Sequence, residues 1–296
     1  MLPEYPASVA ISLDLRDFLH PFFQGVVTGI SEHTFANIYL FRDKHGYRLS
    51  QLPGGMPIIL GEDNGQPFFM LPFGIAEKEV LDRLFRDHER LKCAPRQQAE
   101  ILGQLGYEVA EDRDNFDYLH ARSDLATLAG RRFHKKRNRV KGFITSFNCE
   151  AQPIDAARLA DALAALDCWR ENAEAAEDSG ETDSAGDYAE ARDALEHWEI
   201  LGLQGRVYFI AGQPMAYAMG EELPDGKTFV IHFEKANIVY NGLYQFVNQE
   251  FAAALPDNIE TINREQDLGV PGLRQAKLSY QPSGFIEKFT VKTGDR

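Results

Sequence analysis

The chain has 296 residues, with 31 Lys and Arg against 45 Asp and Glu and a formal net charge of −14. This length allows one large or two ordinary domains, and an apolar share of 44% excludes global disorder. The acidic excess disfavours nonspecific binding of the whole chain to nucleic acid or to an anionic membrane.

The cysteines and the N-terminal sequence indicate the cellular compartment of the protein. Cys93, Cys149 and Cys168 are odd in number and far apart, which predicts neither a disulfide framework nor a zinc site of the CxxC type. No basic and apolar leader precedes Pro3, and no apolar run approaches the ~18 residues of a membrane helix. We therefore expect a cytoplasmic protein without a transmembrane segment. The histidines lack metal-ligand spacing such as HExxH, so no catalytic metal is expected.

The first half of the chain mixes helical and strand patterns. The apolar run Phe35–Phe41 fits a buried helix or a strand equally well. The predicted helices lie at residues 13–23, 76–87 and 95–105. The predicted strands, separated by Pro and Gly turns, lie at residues 47–52, 57–60, 67–72 and 107–110.

The second half repeats this order. The predicted strands lie at residues 142–147, 205–211, 215–221, 227–234, 259–263 and 285–291. The predicted helices lie at residues 156–169, 188–201, from Gly242 onward, and at 272–277. Strict alternation along 227–234 predicts Phe229, Ile231 and Phe233 on one face and His232 and Glu234 on the other.

This order of elements is that of a GNAT-type acyltransferase domain: a strand, two helices, three antiparallel strands, then helix, strand, helix and strand. Two such units in tandem account for 296 residues. We expect an α+β fold with two tandem GNAT-like domains at residues 1–125 and 126–296. Each is expected to contain a mixed, mostly antiparallel sheet flanked by helices.

Charge is concentrated in two segments. Residues 171–196 hold ten acids and one base, carry −9 of the −14, and read as a solvated, mobile insertion joining two helices. Residues 131–141 hold seven basic residues and no acid. This basic run fits a solvated helix face, an internal partner for the acidic insertion, or a phosphate-binding patch. For the phosphate-binding patch the nucleic-acid contacts would be Arg131, Arg132, Lys135, Lys136, Arg137 and Asn138.

Several segments together resemble a known family. They are Asp114–Tyr118, Arg132–Asn138, Gly220-Glu221, Phe233–Ala236, Gly242–Phe251 and Asn263–Pro282. The chain resembles the DUF2156 proteins, which are related to the C-terminal domain of phosphatidylglycerol lysyltransferase. The resemblance covers nearly the whole chain and implies a tandem GNAT fold. For the membrane-bound relatives it implies transfer of an aminoacyl group from aminoacyl-tRNA to a lipid headgroup, whereas this chain lacks their transmembrane portion.

Acyl transfer needs a base, hydrogen-bond donors for the developing oxyanion, and a cradle for donor phosphates. We expect Glu234 to contact an amino group or act as base, Asp267 to bind an ammonium group, and Tyr280 to donate a proton to the leaving group. A structural ion-pair network competes with these roles. The expected substrate-binding residues are Glu221, Lys235, Gly242, Tyr244, Asn248, Asn263, Arg264, Glu265, Arg274 and Lys277.

Three functions stay open at this point. The leading hypothesis is an aminoacyl-tRNA-dependent transferase acting on a small amine or a lipid headgroup, with no required cofactor. The second is an N-acyltransferase that uses acyl-coenzyme A on a small cationic amine. Only Gly242 fits the phosphate loop of coenzyme-A-dependent enzymes, so the sequence gives no positive case for that donor. The third is a non-catalytic binding protein with the same fold.

Overall fold

The computed structural model describes residues 2–177 and 186–294. Its helices are α1 (Arg16–Gln24), α2 (Phe35–Leu40), α3 (Lys78–Asp87), α4 (Arg96–Gln104), α5 (Arg122–Thr127), α6 (His134–Ser146), α7 (Leu159–Glu177), α8 (Tyr188–Glu196), α9 (Trp198–Leu201), α10 (Leu243–Ala254) and α11 (Pro271–Leu278). Short 3₁₀ helices lie at Leu13–Leu15, Arg113–Asn115 and Arg131–Phe133.

The strands are β1 (Val9–Ala10), β2 (Arg48–Gln51), β3 (Pro57–Asp63), β4 (Gln66–Met70), β5 (Arg90–Pro95), β6 (Glu108–Glu111), β7 (Asp117–Ala121), β8 (Cys149–Pro153), β9 (Gln204–Ile210), β10 (Gln213–Glu222), β11 (Thr228–Ala236), β12 (Thr261–Asn263), β13 (Gly284–Ile286) and β14 (Lys288–Lys292). Helices are interspersed with runs of consecutive strands such as β2–β4 and β9–β11, and the fold is α+β.

The chain forms two compact units. The first comprises Met1–Tyr118, Glu265–Gln275 and Gly284–Arg296, and the second comprises Leu119–Arg264 and Ala276–Ser283. These units differ from the expected ranges 1–125 and 126–296, because β14 near the C-terminus pairs within the first sheet. Compact units and domains are different divisions of a chain, so the predicted domains at residues 1–125 and 126–296 stay a prediction.

The first unit is built on a mixed sheet of order β1-β2-β3-β4-β5-β14-β6. The β4–β5 pair is parallel, whereas β14 is antiparallel to both β5 and β6. Apolar side chains of α3 and α4, among them Leu81, Leu84 and Leu102, are buried together with Phe69 and Val291 of the sheet. Burying one face of the sheet under two amphipathic helices forms the core of this unit.

The second unit contains strands in the order β7-β12-β11-β10-β9-β8. Its β9, β10 and β11 form the predicted antiparallel meander, and β12 adds to β11 in parallel. One core unites α10 (Val247, Phe251) and α6 (Phe143) with β10 and β11 (Ala218, Ile231). Because β12 runs parallel to β11, the residues after β12 leave the sheet at the end where β11 also finishes.

A β-bulge in β11 reverses the predicted alternation of its side chains. Phe233 pairs with Met219 and Ile231 pairs with Gly220, so His232 is an extra residue on β11. Beyond the bulge, Glu234 lies on the face that packs against α10, the same face as Ile231. The predicted sharing of one face by His232 and Glu234 is wrong. The alternating sequence pattern of this strand does not indicate that it contains an inserted residue.

Two other expectations need correction. The predicted strand at 142–147 is wrong, because α6 continues to Ser146 and buries Val140 and Phe143 at helical spacing. The expected insertion at 171–196 is shorter, since α7 continues to Glu177 and α8 begins at Tyr188. The rest of that expectation, residues 178–185, lies outside the described residues. The ambiguous run at Phe35 forms helix α2.

The bulge predicts a strong requirement for glycine at position 220. A Cβ atom there would lie 1.8 Å from the carbonyl oxygen of Val230. We expect Gly220→Ala to lower the free energy of unfolding by about 1–3 kcal/mol, as overpacking does. The measurement is urea denaturation.

Gly142 is the matched control, because a Cβ atom there meets nothing within 4 Å and the residue lies inside α6. Gly142→Ala should raise the unfolding free energy by about 0.5–1 kcal/mol. Equal effects of the two substitutions would contradict the described bulge.

Candidate functional site

The Glu234 carboxylate is held by two donors in the second unit. Arg264 Nη2 donates to its Oε1 at 3.2 Å, and Asn248 Nδ2 of α10 donates to its Oε2 at 3.2 Å. The side chains of Glu234 and Arg264 are only 10% and 15% exposed. Arg264 reaches Glu234 because it directly follows β12, which runs parallel to β11. The sequence-predicted residues Glu234, Asn248 and Arg264 therefore lie together.

Asn248 is buried, and its Oδ1 accepts no hydrogen bond from any described residue. A buried carbonyl oxygen without a donor is unusual in native structures and is costly to leave unpaired. This oxygen belongs to the same amide that donates to Glu234. The pair therefore offers acceptor oxygens to a donor-rich group such as an ammonium ion.

Cations surround Tyr280, which lies in the turn after α11. Lys136 Nζ of α6 is 3.9 Å from the centroid of its ring, and the Arg264 guanidinium is 4.9 Å from it. Burial, aided by the neighbouring Arg264 and Arg139 charges, lowers the pKa of Lys136 to about 8. Burial also raises the pKa of Tyr280, so its phenol stays protonated at neutral pH.

Two further residues, Lys277 and His120, lie beside Arg264 and Tyr280. The Lys277 ammonium donates to the backbone carbonyl of Arg264. His120 packs its ring at 6.5 Å, edge to face, against Tyr280. Burial and the charges of Arg264 and Lys277 lower the pKa of His120 to about 3, so its imidazole is neutral at physiological pH.

The predicted residues Glu221 and Lys235 lie on the opposite face of the sheet from Glu234. Glu221 Oε1 is 3.0 Å from His232 Nε2. Lys235 Nζ lies 2.7 Å from both carboxylate oxygens of Asp187 and 4.0 Å from the Trp169 ring centroid. Successive strand residues point to opposite faces, so Lys235 is separated from its neighbour Glu234.

Three other predicted positions are buried or closely packed in the second unit. Gly242 has φ +95°, and a Cβ atom there would lie 2.6 Å from the Arg139 carbonyl oxygen, so glycine permits the close approach of α10 to α6. Tyr244 packs against the core of the second unit, and its burial raises its pKa to about 12. Asn263 is fully buried in β12.

Asp267 belongs to an ion-pair network in the first unit. Its fully buried carboxylate accepts hydrogen bonds from Arg274 Nε at 2.8 Å, Arg274 Nη2 at 2.7 Å, the Tyr118 hydroxyl, Arg113 Nη1 at 3.4 Å and the Gly269 backbone N–H at 2.9 Å. Despite the opposing effect of desolvation, the bonds from Arg274 and Tyr118 hold the pKa of Asp267 below its usual range. A carboxylate with so many donors is a structural anchor, and its catalytic role stays a prediction.

The predicted residue Glu265 also lies in the first unit. It has φ +55°, an uncommon conformation for a residue with a side chain, and its Oε1 accepts a bond from Asn37 Nδ2 at 3.4 Å. The adjacent Gln266 contacts Ser31, whose Oγ donates to the Asp117 carboxylate at 2.9 Å. The polar residues Ser31 and Asn37 were not selected from the sequence, because they are far from Glu265 along the chain.

A fully buried lysine stands next to Ser31. Lys288 Nζ lies 2.7 Å from Asp117 Oδ1 and also pairs with Glu32. Desolvation, together with the Glu32 charge, raises the pKa of Asp117 to about 6 despite the opposing lysine. Burial of unpaired charges is costly, so these three residues stabilise the fold only as a complete cluster.

The basic segment divides into outward and inward residues. Arg131, Arg132 and Lys135 are exposed, and Arg132 pairs with Asp124 at 2.6 Å. Lys136 turns toward Tyr280. The remaining two predicted nucleic-acid contacts bind within the segment or to the chain before it: Arg137 Nη1 donates to the carbonyls of Leu128 and Gly130, and Asn138 Nδ2 lies 3.1 Å from His134 Nε2.

Within residues 2–177 and 186–294, no group of three or more His, Cys, Asp or Glu side chains is arranged to hold a metal ion. In that same part of the chain, every helix is too short or too polar to cross a membrane.

Solved structures share the fold of this chain. A conserved protein of unknown function from Bacteroides thetaiotaomicron is 29% identical, covers 99% of this chain and 100% of its own, and has a TM-score of 0.85. L-PGS from Bacillus licheniformis is 11% identical over 99% and 95% of the two chains, with a TM-score of 0.60. A GNAT-family acetyltransferase from Colwellia psychrerythraea is 9% identical over 98% and 99%, with a TM-score of 0.53. The α+β fold of this chain is therefore similar to that of a GNAT-family protein.

Residues 23–292 match the family described as phosphatidylglycerol lysyltransferase, C-terminal. The chain belongs to this family, which confirms the resemblance seen in its motifs. No curated protein matches the chain.

The Asp267 network predicts an acid-sensitive contribution to stability. Because the pKa of Asp267 is depressed in the folded state, its contribution is present above the usual carboxylate pKa and is lost as pH falls through the folded value. We expect Asp267→Asn to lower the unfolding free energy at pH 7 by about 3 kcal/mol, the cost of breaking a buried ion pair. Chemical denaturation from about pH 2 to about pH 7 measures both effects.

Asp114 provides the control, since it pairs with the same Arg274 but is 60% exposed. Asp114→Asn should cost less than about 1 kcal/mol, as surface ion pairs do. If the two substitutions cost the same, the anchoring role of Asp267 is contradicted.

Proposed function

We propose that this chain is an acyltransferase that moves an aminoacyl group from aminoacyl-tRNA to an amine or hydroxyl acceptor, on a fold of two tandem GNAT-like units. The acceptor classes are a small amine and a lipid headgroup. Membership in the phosphatidylglycerol lysyltransferase C-terminal family supports the reaction type. The fold similarity to a GNAT acetyltransferase supports the architecture.

The observation that carries the proposal is the double use of helix α6 and the 3₁₀ turn directly before it. The 3₁₀ turn presents Arg131 and Arg132 to solvent, and the first turn of α6 presents Lys135. The adjacent Lys136 reaches Tyr280 beside Arg264. Cations on a helix surface are suited to RNA phosphates, which dominate nucleic-acid affinity. This segment thus connects a surface for a polyanionic donor with a polar site suited to transfer chemistry.

The proposed chemistry uses residues of the second unit. The acceptor nitrogen or oxygen attacks the ester carbonyl, and the bond from that carbon to the ribose oxygen breaks. The leaving oxygen takes a proton from the Tyr280 phenol, and the proton released by the acceptor restores the phenol. Glu234 and Asn248 Oδ1 supply acceptors for the ammonium of the aminoacyl group, and the protonated Tyr280 phenol supplies the proton donor. The proposed reaction uses no metal and no cofactor.

Replacing Glu234 tests the proposed site. Glu234→Gln keeps the shape and removes the charge that would hold an ammonium group. We therefore expect about a tenfold to hundredfold loss of transfer, since a hydrogen bond to a charged group contributes about 1.5–3 kcal/mol. The assay follows radiolabelled lysyl-tRNA with phosphatidylglycerol vesicles or a panel of small amines.

The control is Glu260→Gln, which removes an exposed carboxylate that pairs with Lys227 in the same unit. It should transfer at the wild-type rate. Wild-type protein that transfers to none of these acceptors, or a Glu234→Gln variant as active as wild type, contradicts the proposal.

The basic surface predicts a salt-dependent affinity for RNA. Each phosphate contact adds about 0.7–0.9 to the slope of log affinity against log salt. Replacing Arg131, Arg132 and Lys135 by glutamine should reduce that slope by about 2–3.

The control variant has the same change of charge elsewhere, with glutamine in place of Lys78, Arg96 and Lys227. It should keep the wild-type slope. Filter binding of tRNA from low to moderate salt measures the slopes. Identical slopes in both variants contradict a role for this surface.

A further inference from the structure

Helix α6 brings two cations to a site that already holds a third. Lys136 and Arg139 are three residues apart and therefore lie on one side of the helix. Beyond the larger effect of burial, the charges of Arg264 and Arg139 lower the pKa of Lys136. The same two charges oppose the rise that burial causes in the pKa of Tyr280. Glu234 is the carboxylate that acts on both Lys136 and Tyr280, and it is already paired with Arg264.

The positive charge of this region is not neutralised by the protein. Among the described residues, neither the half-buried Lys136 nor the exposed Arg139 forms an ion pair. Together with Arg264, these cations exceed the Glu234 carboxylate by two charges. Like charges held together in a partly buried region repel one another. A bound anion would remove this repulsion, and arginine and lysine together suit the oxygens of a phosphate group.

We propose that Lys136, Arg139 and Arg264, with the phenol of Tyr280, form a binding site for a phosphate ester. This site is distinct from the exposed surface of Arg131, Arg132 and Lys135. Its natural ligand rests on the proposed transfer function, because both the tRNA end and a phospholipid headgroup contain a phosphate ester. The site fixes one phosphate of the donor or the acceptor beside Glu234.

Inorganic sulfate is the first probe, because its charge does not change across the neutral and alkaline range. Isothermal titration should give at least tenfold weaker sulfate binding for Lys136→Gln and Arg139→Gln. Lys141→Gln, an exposed position on the same helix, should bind within twofold of wild type. Equal sulfate affinity of Lys136→Gln and Lys141→Gln overturns the site.

The pH dependence provides a second readout. The Lys136 ammonium deprotonates near pH 8, so wild-type sulfate affinity should fall as pH rises from about 7 to about 9.5, whereas Lys136→Gln should show a flatter profile. The substitution removes a repelled charge, so the melting temperature of Lys136→Gln should equal or exceed that of wild type. A lower melting temperature with a wild-type pH profile contradicts the described charge cluster.

Competition identifies the source of the phosphate. Displacement of sulfate by a CCA trinucleotide assigns the site to the donor, and displacement by glycerophosphoglycerol assigns it to a lipid acceptor. Displacement by neither indicates an adventitious ion only and overturns the proposal. Loss of the sulfate site together with full Glu234-dependent transfer would refute this inference and leave the proposed function intact.

Discussion

One inserted residue in β11 determines the position of Glu234. The bulge at His232, opposite Gly220, changes the face on which every later side chain of the strand lies. Without it, Glu234 would point toward α7 and the acidic end of α8, away from Asn248 and Arg264. The absence of a side chain at Gly220 is what lets the two backbones come this close.

The two units differ in how completely their charged and polar side chains are paired. In the first unit, Asp267 and Lys288 are fully buried and are matched by several opposite or hydrogen-bonding groups, as buried charges must be. In the second unit, the half-buried Lys136 forms no ion pair with a described residue, and the buried Asn248 Oδ1 accepts no hydrogen bond from one. Uncompensated polar groups are tolerated where a ligand completes them.

Much of the fold is predictable from the sequence. The meander β9–β11, the hairpins β2–β4 and helices α3, α4 and α10 follow from apolar periodicity and turn residues. The strand predicted at 142–147 fails because tertiary contacts of Phe143 override its local β-rich composition. The pairing of β14 within the first sheet depends on residues distant in sequence, which no local pattern encodes.

The site is predictable only in part. Residue type, position at or after a strand and the family resemblance identify Glu234, Arg264, Asn248 and Tyr280, which the structure brings together. The same reasoning selects Glu221 and Lys235, which lie on the opposite face of the sheet from Glu234. Arg139 was not selected from the sequence. Its position three residues after Lys136 would place both side chains on one side of a helix, which could have identified it.

The central claim is that Glu234 and Asn248 receive the ammonium of an aminoacyl group. Its most direct test is a crystal structure with lysyl-amino-adenosine, in which an amide replaces the labile ester of the tRNA end. The account predicts the α-ammonium within hydrogen-bond distance of the Glu234 carboxylate and Asn248 Oδ1, about 2.7–3.2 Å. Binding of the analogue elsewhere, with this pair unchanged, would contradict it.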